Sequence, residues 1–244
     1  MSRETLLSAA DRADAAAASG LVVVVHGGRS VSTEPASAVQ PSVLRMIPMA
    51  RAIRQAVRGR GVVVCRPRLR LRGWNGAEAS PVHDLTELLD ELSGRLGRVP
   101  VVLVGHSMGA RAALRVAGHP LVSAIAGLAP WLPPGEPVDQ LAGRRVLLAH
   151  GSADTVTSPS ETWAYADRAR SITQVATVEV PNGNHALLRG DHPVLRGDLP
   201  GGDYPQPGGD LPGGDQGGLR GARLWHRVAA EFTRVSLGLP SDQA

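Results

Sequence analysis

The chain has 244 residues, enough for one α/β domain with a full hydrophobic core. Aromatic residues make up only 3% of it, so the core must consist mainly of valine, leucine and alanine. All 26 basic side chains are arginine, and the net charge is only +4. Because the sequence has no basic block and no series of stacking aromatics, it argues against a protein that binds nucleic acid.

Cysteine usage and the N-terminal residues indicate where the protein works. Cys65 is the single cysteine, so no disulfide can form within the chain and a reducing compartment is expected. No long apolar segment precedes the first acidic residues, which argues against a secretory signal. The apolar run at 15–25 is too short and too interrupted to span a bilayer. We therefore expect a cytoplasmic protein with no membrane partner, and its oligomeric state stays open.

Strand and helix patterns alternate along the chain, which is typical of a parallel sheet with helical crossovers. They predict fold class α/β, with a mostly parallel, doubly wound sheet of about six strands flanked by helices. Ser158, ahead of Pro159, is a candidate N-cap for one of these helices. The predicted strands cover residues 22–25, 62–65, 101–104, 124–128, 146–149 and 177–180, and the predicted helices cover 41–60, 82–96, 108–117, 160–171 and 223–237.

Too few residues precede the first strand for additional antiparallel strands, so the strand at 62–65 is expected at a sheet edge.

Four segments are expected along the chain. The segment at 190–221 is rich in Gly, Pro and Asp, and a seven-residue sequence occurs in it twice. We expect it to be a loosely ordered surface excursion, with a mobile flap as the alternative. The segments are an N-terminal extension at 1–20, a core at 21–189, this low-complexity insertion, and a closing helix at 222–237.

The most informative motif is Gly105-His106-Ser107-Met108-Gly109, which lies between a predicted strand and a predicted helix. This is the setting of a nucleophile elbow, in which a serine occupies a tight, strained turn at the end of a strand. Small residues must flank the serine, and Gly105 and Gly109 meet that need. The pattern predicts Ser107 as a nucleophile.

A serine nucleophile needs a base, and the base needs an orienting carboxylate. Asp154 follows the predicted strand at 146–149, and His185 follows the one at 177–180. Both therefore belong at the end of the sheet where Ser107 lies. His192 is the competing base, but it falls in the Gly/Pro-rich segment. We predict a triad of Ser107, Asp154 and His185.

A glycine pair at the end of the first predicted strand is suited to stabilising an oxyanion. His26-Gly27-Gly28 follows the valine run, and its backbone N–H groups lack obstructing side chains. We predict Gly28 as one donor, with Arg29 as the alternative, and Met108 as the second donor because it follows the nucleophile.

Taken in order, these elements resemble the α/β-hydrolase superfamily, over about residues 20–189 and the closing helix. The resemblance implies an acyl-transfer site that needs no cofactor and no metal, but it does not imply a substrate. Relatives carry a helical cap where this chain has only the short, Pro-rich segment 129–144, so we expect a capless enzyme with an open cleft. The elements are His26-Gly27-Gly28, the motif around Ser107, Asp154 in His-Gly-Ser-Ala-Asp, and His185 in Gly-Asn-His.

Candidates for substrate binding are less specific. Trp74 and Trp131 could line an acyl pocket or serve only in packing, and Arg29 lies beside the glycine pair. His106 and His150 flank the catalytic positions but are expected to pack or to form hydrogen bonds within their loops. A run of alternating arginines could be a solvated face or a basic rim that steers acidic substrates such as thioesters of coenzyme A. These arginines are at 66, 68, 70 and 72.

The sequence thus predicts a serine hydrolase that cleaves a small-molecule carboxylic ester or thioester through a Ser-His-Asp triad and an acyl-enzyme. The same triad could instead serve acyl transfer or cyclisation in a biosynthetic pathway. A non-catalytic binding protein on the same fold is the remaining alternative.

Overall fold

The computed structural model describes residues 5–7, 18–191, 193–196 and 219–240. In this part of the chain one sheet contains the strands β1 (Thr5–Leu7), β2 (Gly20–Val25), β3 (Val62–Pro67), β4 (Val101–His106), β5 (Val122–Leu128), β6 (Arg145–Gly151), β7 (Gln174–Val180) and β8 (Val194–Arg196). The helices are α1 (Pro41–Ala56), α2 (Ser80–Leu96), α3 (Met108–Arg115), α4 (Pro159–Ala169) and α5 (Leu219–Ser236).

The sheet order is β1-β3-β2-β4-β5-β6-β7-β8, and the strands from β2 to β7 all run parallel. These are the six strands predicted from the apolar runs, so the mostly parallel sheet is confirmed. Every residue of β2 and of β4 is buried. Strands covered on both faces lose the alternation of apolar and polar residues, which is why their sequences read as continuous apolar runs.

The two edges differ from expectation. β1 pairs antiparallel with β3, so the strand predicted at the edge lies one position inside it. β8 pairs antiparallel with β7, although its residues belong to the predicted low-complexity insertion. Strands of three residues are too short to give a periodic pattern in the sequence. Residues 192 and 197–218 of the insertion lie outside the described residues, as does most of the N-terminal extension.

Helices cover both faces of the sheet, and alternate residues of β2 show how. Val23 and Val25 pack in the cluster that contains the buried side of α2 and α3. Val22 and Val24 pack in the cluster of α1 and α5, which includes the fully buried Trp225. The doubly wound architecture therefore follows from the period-two geometry of a strand with two apolar faces.

Two connections matter for the site. Ser158 caps α4 as predicted, since its side chain accepts a hydrogen bond of 3.2 Å from the Glu161 N–H. The connection from β5 to β6 at 129–144 contains one short 3-10 turn at Asp139–Leu141 and no α-helix. No helical cap is therefore built from this connection.

Candidate active site

Ser107 occupies a strained turn between β4 and α3. Its φ is 55° and its ψ is −121°, a conformation that residues with a side chain rarely adopt. A Cβ at Gly105 would lie 2.5 Å from the backbone of α3, and one at Gly109 would lie 2.4 Å from the His26 carbonyl oxygen. The Ser107 N–H donates to the Leu128 carbonyl at 3.0 Å. The glycines thus allow the close packing that holds the serine in this conformation.

The structure brings Ser107, His185 and Asp154 together at the carboxyl ends of the parallel strands. His185 Nε2 lies 3.1 Å from Ser107 Oγ, and His185 Nδ1 lies 2.8 Å from Asp154 Oδ2. These are hydrogen-bond distances. The Ser107 residue is 7% exposed, whereas the Asp154 side chain is fully buried. A hydroxyl, an imidazole and a carboxylate therefore form one continuous chain of contacts.

The loops that carry Asp154 and His185 are joined by backbone hydrogen bonds. The Ser152 N–H donates to the Val180 carbonyl and the Ala153 N–H to the Gly183 carbonyl, both at 3.0 Å. A Cβ at Gly151 would lie 2.2 Å from the Gly183 carbonyl oxygen, so only glycine permits this approach. The imidazole and the carboxylate are consequently positioned by the same pair of strand ends.

Donors surround the Asp154 carboxylate. Oδ1 accepts from the N–H groups of Val156 and Thr157 at 2.8 and 3.0 Å, and Oδ2 accepts from the Thr157 hydroxyl at 3.0 Å. Burial alone raises the pKa of Asp154, but hydrogen bonds from His150, His185 and the two backbone groups outweigh it. The pKa of Asp154 therefore lies well below its usual range, and the group is an anion at neutral pH.

His150 is a further partner of Asp154. Its Nε2 lies 3.0 Å from Asp154 Oδ2, and its Nδ1 lies 2.7 Å from Thr162 Oγ1 on α4. The ring is fully buried and meets the edge of Trp163. The contact with Asp154 is a hydrogen bond within the loop, as expected for this histidine, but no spacing in the sequence singles out Asp154 and Thr162 as its partners.

His106 contacts the backbone of His185, the predicted base. Its Nε2 lies 2.8 Å from the His185 carbonyl oxygen, and the two rings are 4.9 Å apart between centroids. Burial, followed by the charge of His185, lowers the pKa of His106 to about 3. The ring is therefore neutral at neutral pH, and its Nε2 must carry the hydrogen because a carbonyl only accepts.

The geometry distinguishes between the two predicted oxyanion donors near β2. The Arg29 N–H donates to the Arg72 carbonyl at 2.8 Å, whereas no hydrogen bond between described residues uses the Gly28 N–H. Met108 begins α3, so its N–H has no acceptor within the helix. A Cβ at Gly28 would lie 2.4 Å from Met108 Cε. Gly28 and Met108 are thus adjacent and both have an available donor.

The two predicted pocket tryptophans stand in different surroundings. Trp131 is half-buried, and its backbone N–H donates to the Ser107 carbonyl at 3.3 Å. Trp74 is 3% exposed and meets Trp131 edge to face at 6.2 Å. The Arg111 guanidinium lies over both rings, 3.8 Å from one centroid and 4.4 Å from the other. Trp131 therefore borders the nucleophile, Trp74 lies in the core beside it, and the Arg29 side chain is exposed.

A buried ion cluster connects the 129–144 segment to α3. Glu136 Oε1 accepts from Arg111 Nε at 2.7 Å, and Oε2 accepts from Arg115 Nε at 2.6 Å. The Glu136 residue is only 4% exposed. The sequence did not reveal this anchor, because a glutamate among prolines reads as an exposed loop residue.

At least three of the four alternating arginines in and after β3 bind groups of the protein. Arg70 pairs with Asp84 and Glu87, and Arg72 pairs with Glu34. Arg66 donates to the backbone of α1 at 3.4 Å. Carboxylates thus compensate the charges of Arg70 and Arg72, which argues against a basic rim at these two positions and favours a structural role for them.

Two further observations concern what the site could bind. Within the described ranges, no group of three or more histidine, cysteine, aspartate or glutamate side chains is arranged to hold a metal ion. The helices of the same ranges are all too short or too polar to cross a membrane.

Comparison with known families agrees with this geometry. Residues 22–167 match the model of a family described as the alpha/beta hydrolase family, a span of more than half the chain. This chain belongs to the alpha/beta hydrolase family. The match includes the elbow and Asp154 and ends before His185, which lies outside the matched span. A search of curated protein sequences finds no match.

Solved structures share the fold of this alpha/beta hydrolase. Est1E from Butyrivibrio proteoclasticus is 14% identical with a TM-score of 0.50, over 69% of this chain and 81% of that one. A structure of Est1E with bound ferulic acid gives a TM-score of 0.51 at 14% identity, over 75% and 87%. An alpha-beta serine hydrolase homologue from Coxiella burnetii is 18% identical with a TM-score of 0.52, over 69% and 78%.

Proposed function

We propose that this alpha/beta hydrolase is a serine hydrolase that cleaves a carboxylic ester or thioester. The observation that carries the proposal is the continuous contact from Ser107 Oγ through the His185 imidazole to Asp154, at 3.1 and 2.8 Å. The charged, buried carboxylate supports it, since such a partner orients the imidazole and stabilises its protonated form.

The proposed reaction has two halves. Ser107 Oγ attacks the carbonyl carbon while His185 Nε2 takes the hydroxyl proton, and the N–H groups of Gly28 and Met108 donate to the oxyanion. His185 then gives that proton to the departing alcohol or thiol, which leaves an acyl group on Ser107. Water, deprotonated by His185, attacks this acyl-enzyme, and His185 then gives the proton to Ser107 Oγ as the acid is released, which restores the free serine.

The proposal extends to the surroundings of the triad. We assign Trp131 to the wall of the acyl pocket, since its backbone forms a hydrogen bond with that of Ser107. Trp74 supports the Trp131 ring from the core, and Arg29 lies at the exposed rim. A cytoplasmic location is proposed because Cys65 is the single cysteine of the sequence, so no disulfide can form within it.

The decisive kinetic test is a panel of p-nitrophenyl esters of graded chain length, a feruloyl ester and acyl thioesters. We expect turnover by the wild type and a loss on the order of 10⁴-fold or more in Ser107→Ala. Ser171→Ala is the control, because that serine is exposed in the turn that follows α4. Activity that survives in Ser107→Ala, or the absence of any turnover, would contradict the proposal.

A further inference from the structure

One carboxylate oxygen of Asp154 receives hydrogen bonds from two histidines. Oδ2 lies 2.8 Å from His185 Nδ1 and 3.0 Å from His150 Nε2. Both imidazoles must present N–H groups, because an ionised carboxylate can only accept. The mechanism proposed above uses only His185, so the role of His150 is unassigned.

The surroundings of His150 accommodate the tautomer that this contact requires, and the Thr157 hydroxyl also lies 3.2 Å from His150 Nε2. With hydrogen at Nε2, the neutral ring has an acceptor at Nδ1, and the Thr162 hydroxyl lies 2.7 Å from it. Both His150 and Thr162 are fully buried. Trp163, the next residue of α4, meets the ring at 6.2 Å between centroids and 72° between planes. Helix α4 thus holds the imidazole in one orientation, with its Nε2–H directed at Asp154.

We propose that His150 is a positioning residue that fixes Asp154 Oδ2 for its contact with His185 and takes up part of its negative charge. This inference rests on the proposed serine hydrolase function. It makes the hydrogen-bonded series Thr162, His150, Asp154, His185 and Ser107 a single unit that extends from α4 to the nucleophile.

The effect of removing one of the donors to the Asp154 carboxylate has a predictable sign. A donor that stabilises the Asp154 anion lowers its pKa, and it also weakens the attraction of the anion for a proton on His185. Loss of His150 should therefore move the acid limb of kcat/KM to higher pH. The other ionisable groups in these surroundings are Glu179, the register partner of His150 on β7, and His106, whose ring contacts His185. Helix α4 presents Thr162 and Trp163, which are uncharged.

The first test compares His150→Phe with His150→Gln. Phenylalanine removes the donor, and we expect kcat to fall roughly tenfold, as for the loss of one charge-assisted hydrogen bond, with KM little changed. The acid limb of kcat/KM should move to higher pH by about half a unit to one unit. Glutamine presents an N–H near the position of Nε2, so His150→Gln should restore much of the rate and return the limb towards the wild-type position.

A second pair of variants changes one buried hydroxyl and leaves the imidazole in place. Thr162→Val should shift the acid limb in the same direction by a smaller amount, since Nδ1 loses its donor. Thr233→Val is the matched control, because that buried threonine on α5 bonds only to a helix carbonyl at 2.8 Å. The NMR resonance of the His185 Nδ1–H reports the same contact without turnover, and it should move in His150→Phe and in Thr162→Val but not in the control.

The outcomes separate this proposal from the function on which it rests. If Ser107-dependent hydrolysis is present but both His150 variants lose rate equally with an unmoved acid limb, His150 is only a packing residue and the proposal is wrong. An acid limb that moves to lower pH in His150→Phe also overturns it. If hydrolysis does not depend on Ser107, the proposed function fails instead, and the NMR comparison still decides whether His150 holds Asp154.

Discussion

The conformation of Ser107 costs free energy that its neighbours must offset. A positive φ at a serine is unfavourable by about 1–3 kcal/mol, and it persists because β4, α3 and the end of β5 determine the turn together. The charge of Asp154 is offset in the same way. Burial disfavours its ionised carboxylate, and hydrogen-bond donors to both oxygens stabilise it. Single residues here are held in conformations and charge states that their surroundings specify.

His106 makes stability depend on pH in a calculable direction. Its pKa is about 3 in the folded chain against 6.5 for a free histidine, so the unfolded state binds the proton more readily. Stability from the neutral ring is fully present above pH 6.5 and is lost as the pH falls towards 3. When the pH falls from 8 to 5, the free energy of unfolding should decrease by roughly 2 kcal/mol more in the wild type than in His106→Gln.

Urea unfolding at the two pH values measures this difference. His83→Gln is the control, because that histidine is exposed on α2 and should leave the wild-type pH dependence unchanged. Equal losses in the wild type and in His106→Gln would show that the buried imidazole does not control the acid sensitivity.

At the scale of elements, the strand ends determine the site. β2 supplies the glycine pair, β4 the elbow, β6 the acid and β7 the base, and close backbone contacts join them in pairs. The contact between the end of β2 and the start of α3 depends on Gly109, where a side chain would collide with the His26 carbonyl. The connection at 129–144 is anchored to α3 by the ion pairs that Glu136 forms with Arg111 and Arg115.

The Glu136 anchor should contribute strongly to stability. Removing its charge in Glu136→Ala leaves Arg111 and Arg115 without their shared counterion, one of them almost completely buried. We expect a loss of about 3 kcal/mol in the free energy of unfolding. Glu91→Ala breaks the exposed pair with Arg95 on α2 and should cost less than about 1 kcal/mol. Comparable losses in the two variants, measured by chemical denaturation, would argue against the buried anchor.

Two glycine-to-alanine substitutions in helices should have opposite effects. At Gly109 the new Cβ would lie 2.4 Å from the His26 carbonyl oxygen, so Gly109→Ala must displace the elbow and should lose both stability and hydrolysis. At Gly94 on α2 nothing lies within 4 Å of a new Cβ, and Gly94→Ala should stabilise the protein by about 0.5–1 kcal/mol. Thermal unfolding checks both, and a neutral Gly109→Ala would contradict the packing described for the elbow.

At the scale of the whole molecule, the sequence predicts what local pattern encodes. The runs that become β2 and β4 are apolar because both faces are buried, so they are visible without a structure, and the order of elbow, acid and base follows from them. β1 and β8 were missed because three residues show no period. The partners of His150 and Glu136 were missed because they are set by how loops fold back, which no spacing in the chain records.

The central claim is that Ser107 is a nucleophile activated by His185, and covalent labelling tests it most directly. The protein would be treated with an organophosphonate that reacts with activated serines, and the modified residue would be located by mass spectrometry. We predict one added group, on Ser107, and labelling slowed by roughly 100-fold or more in His185→Ala. Modification at another residue, or equal labelling rates in the two proteins, would contradict the account.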